Sequence, residues 1–212
     1  DPRSQAQIDA TPHVAGATVG DLIYADKNGD GQITAADQIR SKYGNIPQIV
    51  YGLSLNAGYK GFDLSVLFAG QAQVSQYVLP ESGTIGNYYS SWADNAWSPT
   101  NPNGSYPKVS TRASSAVSGG LYNSTFWLND ASFVRLKNVQ LGYTLPASTI
   151  SKLHISGLRL YVSAFNLFTI TKVKDYEPEV TYASGQYGGA QYGSGQFYPE
   201  QRIINIGANV KF

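Results

Sequence analysis

The fold turns on one stretch, Ile49-Val50-Tyr51-Gly52-Leu53-Ser54-Leu55-Asn56-Ala57-Gly58-Tyr59-Lys60-Gly61-Phe62-Asp63-Leu64-Ser65-Val66-Leu67-Phe68. Ile49, Tyr51, Leu53, Leu55, Ala57 and Tyr59 share one parity, and Gly52, Ser54, Asn56 and Gly58 share the other. This is the period-two alternation of a strand with one apolar face. After Lys60-Gly61, the residues Phe62, Leu64, Val66 and Phe68 alternate with Asp63 and Ser65, with Leu67 and Ala69 as exceptions. A two-residue connection pairs Tyr59 with Phe62 on one face, so both strands turn their apolar parity the same way. Gly61 supplies the positive φ such a turn needs.

The alternation recurs further along. Phe133 to Leu145 places Val139, Leu141, Tyr143 and Leu145 on one face, but Arg135 and Lys137 share their parity, so a bulge intervenes or the apolar face ends there. Leu158 to about Ile170 sets Leu158, Leu160, Val162 and Ala164 against Arg159, Tyr161 and Ser163. At the C-terminus Ile204, Ile206, Ala208, Val210 and Phe212 alternate with Asn205, Gly207, Asn209 and Lys211. Strands of about ten residues suit a tilted crossing of a bilayer core. The connections alternate long and short, the rhythm of outer-membrane barrels, and Tyr59, Phe62, Tyr143 and Phe212 fall at strand ends on the short-turn side, as an interfacial girdle requires. The expectation is an all-β transmembrane antiparallel β-barrel. The alternative is a soluble β-sandwich, a calcium-stabilised glycan-binding module, which shows the same alternation.

Composition agrees. Of 212 residues only 14% are charged, with 16 Tyr and 22 Gly, against about 25% charged in soluble domains. A net charge of +1 argues against nucleic acid, which needs clustered Lys and Arg. Zero Cys removes disulfides, thiolate metal sites and thiol catalysis. No apolar run is long enough for a transmembrane helix, a test that strands escape. Asp1 as first residue and the lack of any Met are expected of a piece of a longer chain.

Residues 1–47 form an expected loop segment with one dense acidic loop, and residues 48–212 the barrel strands with long loops at 73–124 and 171–199. The acidic loop runs Asp26-Lys27-Asn28-Gly29-Asp30-Gly31-Gln32-Ile33-Thr34-Ala35-Ala36-Asp37. It fits the calcium-loop template, with Asp26, Asn28 and Asp30 at positions 1, 3 and 5, the Gln32 carbonyl at 7, and Asp37 in place of Glu at 12. The expected ion is structural calcium; the bland reading is an Asn-Gly-Asp-Gly turn with solvated acids. Tyr88, Tyr89, Trp92 and Trp97, with Trp127, are candidates for stacking on sugar rings or lining a peptide site, or else they pack the long loop against itself. His13 and His154 have no recognisable Ser or Asp partners, and Glu177 and Glu179 flank Pro178 with no geometry fixed for hydrolysis. Nothing indicates an enzyme.

Taken together, several segments resemble the SusC/RagA-type TonB-dependent outer-membrane transporters of Bacteroidota. These are Gly20-Asp21 with the Asp26–Gly31 segment; Tyr51-Gly52 with Gly61-Phe62-Asp63-Leu64; Ala131-Ser132-Phe133-Val134-Arg135-Leu136-Lys137-Asn138; Leu141-Gly142-Tyr143-Thr144-Leu145-Pro146; Asn166-Leu167-Phe168; and Tyr176-Glu177-Pro178-Glu179. The final Asn205, Gly207, Val210 and Phe212 resemble the signal by which barrels are recognised for insertion. The resemblance implies the last five strands of a barrel of roughly 22 strands, with a plug and a TonB-contacting segment outside this sequence, in the cell outer membrane and its lipid. It implies a SusD-like lipoprotein partner and uptake of oligosaccharides or peptides. It also implies that Lys60-Gly61 and 146–156 face the periplasm, while 1–47, 73–124 and 171–199 face outward.

Overall fold

The Ile49–Phe68 alternation forms a hairpin of two strands, β1 (Ile49–Tyr59) and β2 (Phe62–Ala72). Lys60 and Gly61 both sit in the left-handed region, at φ 46° and 89°. Two consecutive positive φ values give the turn whose twist matches the strands it joins. The computed structural model describes residues 4–77, 90–108, 124–151, 154–173, 177–179 and 200–212. The further strands are β3 (Ser75–Tyr77), β4 (Leu128–Asp130), β5 (Phe133–Thr144), β6 (Gly157–Phe165), β7 (Thr169–Thr171) and β8 (Ile203–Lys211). The main sheet has the order β1-β2-β5-β6-β8, with β7 also on β5, and its pairs are antiparallel. Strands β3 and β4 make a separate two-stranded sheet.

Two irregularities re-aim the side chains. Between β2 and β5 the register shifts, Leu67 facing Asn138 while Phe68 faces Leu136, so Lys137 is an extra residue. A bulge, and not the end of the apolar face, therefore explains the shared parity of Arg135 and Lys137. The strand expected from Leu158 to Ile170 is also interrupted. Asn166 takes φ 50°, and the N–H groups of Asn166 and Leu167 donate to the carbonyls of Lys137 and Leu136 at 3.0 and 3.1 Å before β7 resumes the pairing.

The sheet separates its ends. At one end lie the short connections: the Thr144 N–H donates to the Gly61 carbonyl at 2.8 Å, and Ser156 Oγ–H to the Phe212 carbonyl at 3.1 Å. Within this turn, Pro146 precedes a short helix, Ala147–Ile150. At the other end the chain leaves on its long excursions.

By its contacts the chain divides into two units, Asp1–Asn45 with Gln76–Asn129 and Tyr182–Phe197, and Ile46–Ser75 with Asp130–Thr181 and Tyr198–Phe212. The first unit groups the N-terminal segment with much of the 73–124 loop because they share a core. Trp92 and Trp127 are buried there, with Leu22, Tyr77, Ala96 and Tyr106 packed against them. This unit also holds a helix, Gln5–Asp9, in the segment expected to be loop. Its capping box is reciprocal, Ser4 Oγ accepting from the Gln7 N–H and Gln7 Oε1 from the Ser4 N–H at 2.8 Å. The second unit carries the main sheet and a small core of Val74, Ala131 and Val173.

Candidate functional site

Register decides the character of each face of the main sheet. One row across all five long strands reads Tyr59, Phe62, Tyr143, Leu160, Ala208; the next Ala57, Leu64, Leu141, Val162, Ile206; the next Leu55, Val66, Val139, Ala164, Ile204. Cross-strand partners lie on the same side, so the rows make one continuous apolar face. Among the described residues nothing covers it: Leu53 is 53% exposed, Ile206 88% and the terminal Phe212 95%. The Phe62 and Tyr143 rings pack against each other on the short-turn edge, centroids 4.4 Å apart and planes tilted by 39°.

The intervening rows are polar or small. One reads Gly58, Asp63, Gly142, Tyr161, Gly207, and the next Asn56, Ser65, Gln140, Ser163, Asn205. Arg159 Nε–H donates to Asp63 Oδ1 at 2.8 Å, passing over Gly142, where a Cβ would overlap both side chains. The Tyr161 ring likewise occupies the space above Gly207. Of the residues expected to signal insertion, Gly207 is thus a seat for an aromatic ring, Asn205 stands in the second polar row, and Val210 and Phe212 are exposed.

Toward the long-loop end, the same polar face carries a charged cluster. Arg135 is only 2% exposed. Its Nε–H donates to Thr169 Oγ1 at 2.8 Å, its Nη1 to Glu179 Oε2 at 2.8 Å, and its Nη2 to Glu177 Oε1. Lys137 reaches Glu179 Oε1 at 2.7 Å. Gln71 Nε2–H donates to the carbonyls of Pro178 and Ala131 at 3.0 and 3.1 Å. Two segments separated in sequence, the one around Arg135-Leu136-Lys137 and Glu177-Pro178-Glu179, are therefore a single ionic unit. Balanced charges, with each guanidinium nitrogen of Arg135 bonded, are the condition under which burying ions is tolerable. Sequence reasoning missed this unit; its only local signal was two basic residues breaking the apolar parity.

In the acidic loop, Gly29 and Gly31 take φ 77° and 81°, and their N–H groups donate to the two Asp26 carboxylate oxygens at 2.6 and 2.8 Å. Asp30 Oδ1 accepts from the Gln32 N–H at 2.8 Å, and Asn28 Oδ1 from the Asp30 N–H at 3.0 Å. Asp37 closes the loop, accepting from the N–H groups of Lys27 and Thr34, each at 2.7 Å. The Thr34 N–H, then that of Lys27, hold the Asp37 carboxyl below its usual range, and a shared contact with the Asp26 carboxyl adds to this. The donor set is hard oxygen, which suits calcium in kind. Among the described residues no three His, Cys, Asp or Glu side chains converge on one point, so an ion here must also draw on Asn28 and the Gln32 carbonyl.

The expected ligand-stacking rings have different settings. Trp92 is fully buried, edge-on to Trp127 at 5.6 Å, with Nε1–H donating to the Pro107 carbonyl at 3.2 Å; packing accounts for it. Trp97 lies over Gly20, where a Cβ would overlap its ring and φ is 88°. Gly20-Asp21 is thereby explained: the glycine admits the indole, and buried Asp21 pairs with Lys108 at 3.3 Å. Tyr88, Tyr89 and Tyr176 lie outside the described residues. Phe126 is the exposed member of the cluster, 4.8 Å from Trp127 and 6.0 Å from Tyr106.

Fold and faces define the class: an all-β chain of long antiparallel strands with one polar face and one uncovered apolar face. No family model matches the chain. It is similar to TonB-dependent receptor P3 of Formosa agariphila, 35% identical over 202 residues that cover 91% of this chain and 19% of the relative. It is also similar to TonB-dependent receptor SusC of Bacteroides thetaiotaomicron, 30% identical over 74% of this chain and 15% of that protein. Among solved structures it is similar to the RagAB peptide transporter, with TM-score 0.63 and 29% identity over 95% of this chain and 22% of that one. The RagAB peptide importer in the 'closed-closed' state gives TM-score 0.60 and 27% identity. The chain is thus a relative of the SusC/RagA-type TonB-dependent transporters, which are not enzymes, and spans about a fifth of the length of the curated relatives.

Proposed function

We propose that this chain is part of the wall of a TonB-dependent importer in the outer membrane, taking up peptides or oligosaccharides together with a SusD-like surface lipoprotein. The observation that carries the reading is the continuous apolar face. Soluble monomers rarely leave contiguous apolar patches larger than a few hundred Å² uncovered, whereas lipid covers such a face at no cost. A soluble sandwich would need a second sheet over these rows, and among the described residues none covers them. In this reading β1, β2, β5, β6 and β8 cross the membrane as part of a barrel of roughly 22 strands. Lys60-Gly61, residues 146–156 and Phe212 face the periplasm, the long excursions and residues 1–47 face outward, and Asn205, Gly207, Val210 and Phe212 direct insertion. The plug and the segment that meets TonB belong to the rest of the machine. Peptides are the first ligands to test, because RagAB is a peptide transporter.

This chain has no Cys of its own to compete with a single-cysteine spin label. In outer membranes, labels at L55C and I206C should collide with dissolved oxygen, and labels at N56C and N205C with a water-soluble relaxant. Equal water access at all four positions would overturn the barrel.

Calcium at Asp26, Asn28, Asp30, the Gln32 carbonyl and Asp37 is a second part of the proposal, supported by the donor types and the two glycine turns. Affinity near 10⁻⁴–10⁻³ M is expected of an extracellular structural site. Calorimetric titration should lose its signal in D26A and D30A; an unchanged titration removes the site.

A further inference from the structure

The carboxylate of Glu177 does more than neutralise Arg135. Its Oε1 accepts the N–H of Glu179 at 3.1 Å as well as Arg135 Nη2, and its Oε2 accepts the N–H of Glu200 at 3.2 Å. One carboxylate therefore holds the chain on both sides of residues 180–199, a sequence without a single charged residue and with Tyr182, Tyr187, Tyr192 and Tyr198. Asn166 reinforces the far side, its Nδ2–H donating to Glu200 Oε2 and the Gln201 carbonyl at 3.1 and 3.2 Å. Gln71 holds the near side through the Pro178 carbonyl at 3.0 Å. The footing is the wall itself, since Arg135 is in β5 and is oriented by Thr169 in β7.

The bulge makes this possible. The extra residue at Lys137 brings both basic side chains to the polar face, where Arg135 engages Glu177 and Glu179 while Lys137 neutralises the remaining oxygen of Glu179. An arginine is needed because three of its donors act at fixed angles on three acceptors, which a lysine ammonium cannot reproduce.

We propose that Arg135 and Glu177 are positioning residues for uptake: through one buried carboxylate they fix Glu179 and Glu200 together on the polar face of the wall. This rests on the importer reading. It adds that the ionic unit sets the geometry the imported ligand meets, and does not merely stabilise the wall.

The test uses the full protein in its own outer membrane, with E177Q and R135K and a peptide mixture as the uptake probe. Three readouts are compared: the amount of folded protein, amide exchange at Glu179 and Glu200, and the concentration dependence of uptake. E177Q should keep the folded amount but speed exchange at both amides. It should raise the half-saturating concentration roughly fivefold or more with little change in maximal rate. R135K, which keeps the charge and loses the fork, should fall between E177Q and the parent. Unchanged exchange, or an unchanged half-saturating concentration in a parent that imports, overturns the positioning role. Uptake falling only in proportion to folded protein overturns it too, leaving a structural brace. If the parent imports neither peptides nor oligosaccharides, the importer reading fails first, and faster exchange in E177Q would then also mark a brace and not a positioning pair.

Discussion

At the residue scale, the glycines and acids that matter are those whose neighbours leave no alternative. Tyr161 fills the space a Cβ at Gly207 would need, so G207A should destabilise the folded protein by about 1–3 kcal/mol, the usual cost of overpacking. Urea titration of the folded form in detergent should show Y161A recovering part of that loss, whereas equal damage in G207A and G207A/Y161A would show the clash to be irrelevant. Asp37 gives a pH prediction with a fixed sign. Its folded-state carboxyl is held below the usual range by the Thr34 and Lys27 N–H groups. Its contribution to the loop is therefore complete above the unfolded value, about pH 4, and is lost as pH falls through the lower folded one. The Lys27 and Thr34 amides should stay protected at pH 5 and open only well below pH 4, and D37N should abolish that acid step.

At the element scale, the hairpin and the last strand were plain in the sequence because pleating imposes period two on any strand with one apolar side. The bulge in β5 was an open choice. Arg135 and Lys137 on an apolar parity fit either a bulge or an ended face, and only pairing with β2 distinguishes them. Deleting Lys137 should remove the bulge while Leu136 and Arg135 keep Phe68 and Ala69 as partners, so Arg135 stays on the polar face and Glu179 loses the Lys137 ammonium. The deletion should therefore still fold, read as retained heat-modifiable mobility on gels; loss of folded protein would mean that the extra residue is itself needed by the strand. The Gln5–Asp9 helix, by contrast, was not read from the sequence, where residues 1–47 are expected as loop; a five-residue polar helix has too short an apolar pattern to stand out, and its capping box is seen only in the folded segment.

At the scale of the whole molecule, two units with different physics share one chain. In the first, aromatic rings from distant segments bury one another: Trp92 belongs to this core, and Trp97 is spoken for by Gly20. In the second, an apolar face is covered by none of the described residues. If lipid covers it, I206K should cost about 2–4 kcal/mol near the midplane, and N205K on the polar face far less, as measured by urea unfolding in lipid vesicles. Similar small costs at both positions would place the sheet in water.

The sequence by itself determined the β1–β2 hairpin, its Lys60-Gly61 turn and the last strand, with the apolar side of each. These follow from local rules of pleat and turn. Only the tertiary structure decided that the bulge at Lys137 brings Arg135 to the polar face, and that Arg135 meets Glu177, 42 residues away. It likewise decided that Asp63 and Arg159, 96 residues apart, join across Gly142. The reason is physical. A face is written in every second residue, but a buried ion pair needs one partner at one distance, and strand order and register alone bring the two together.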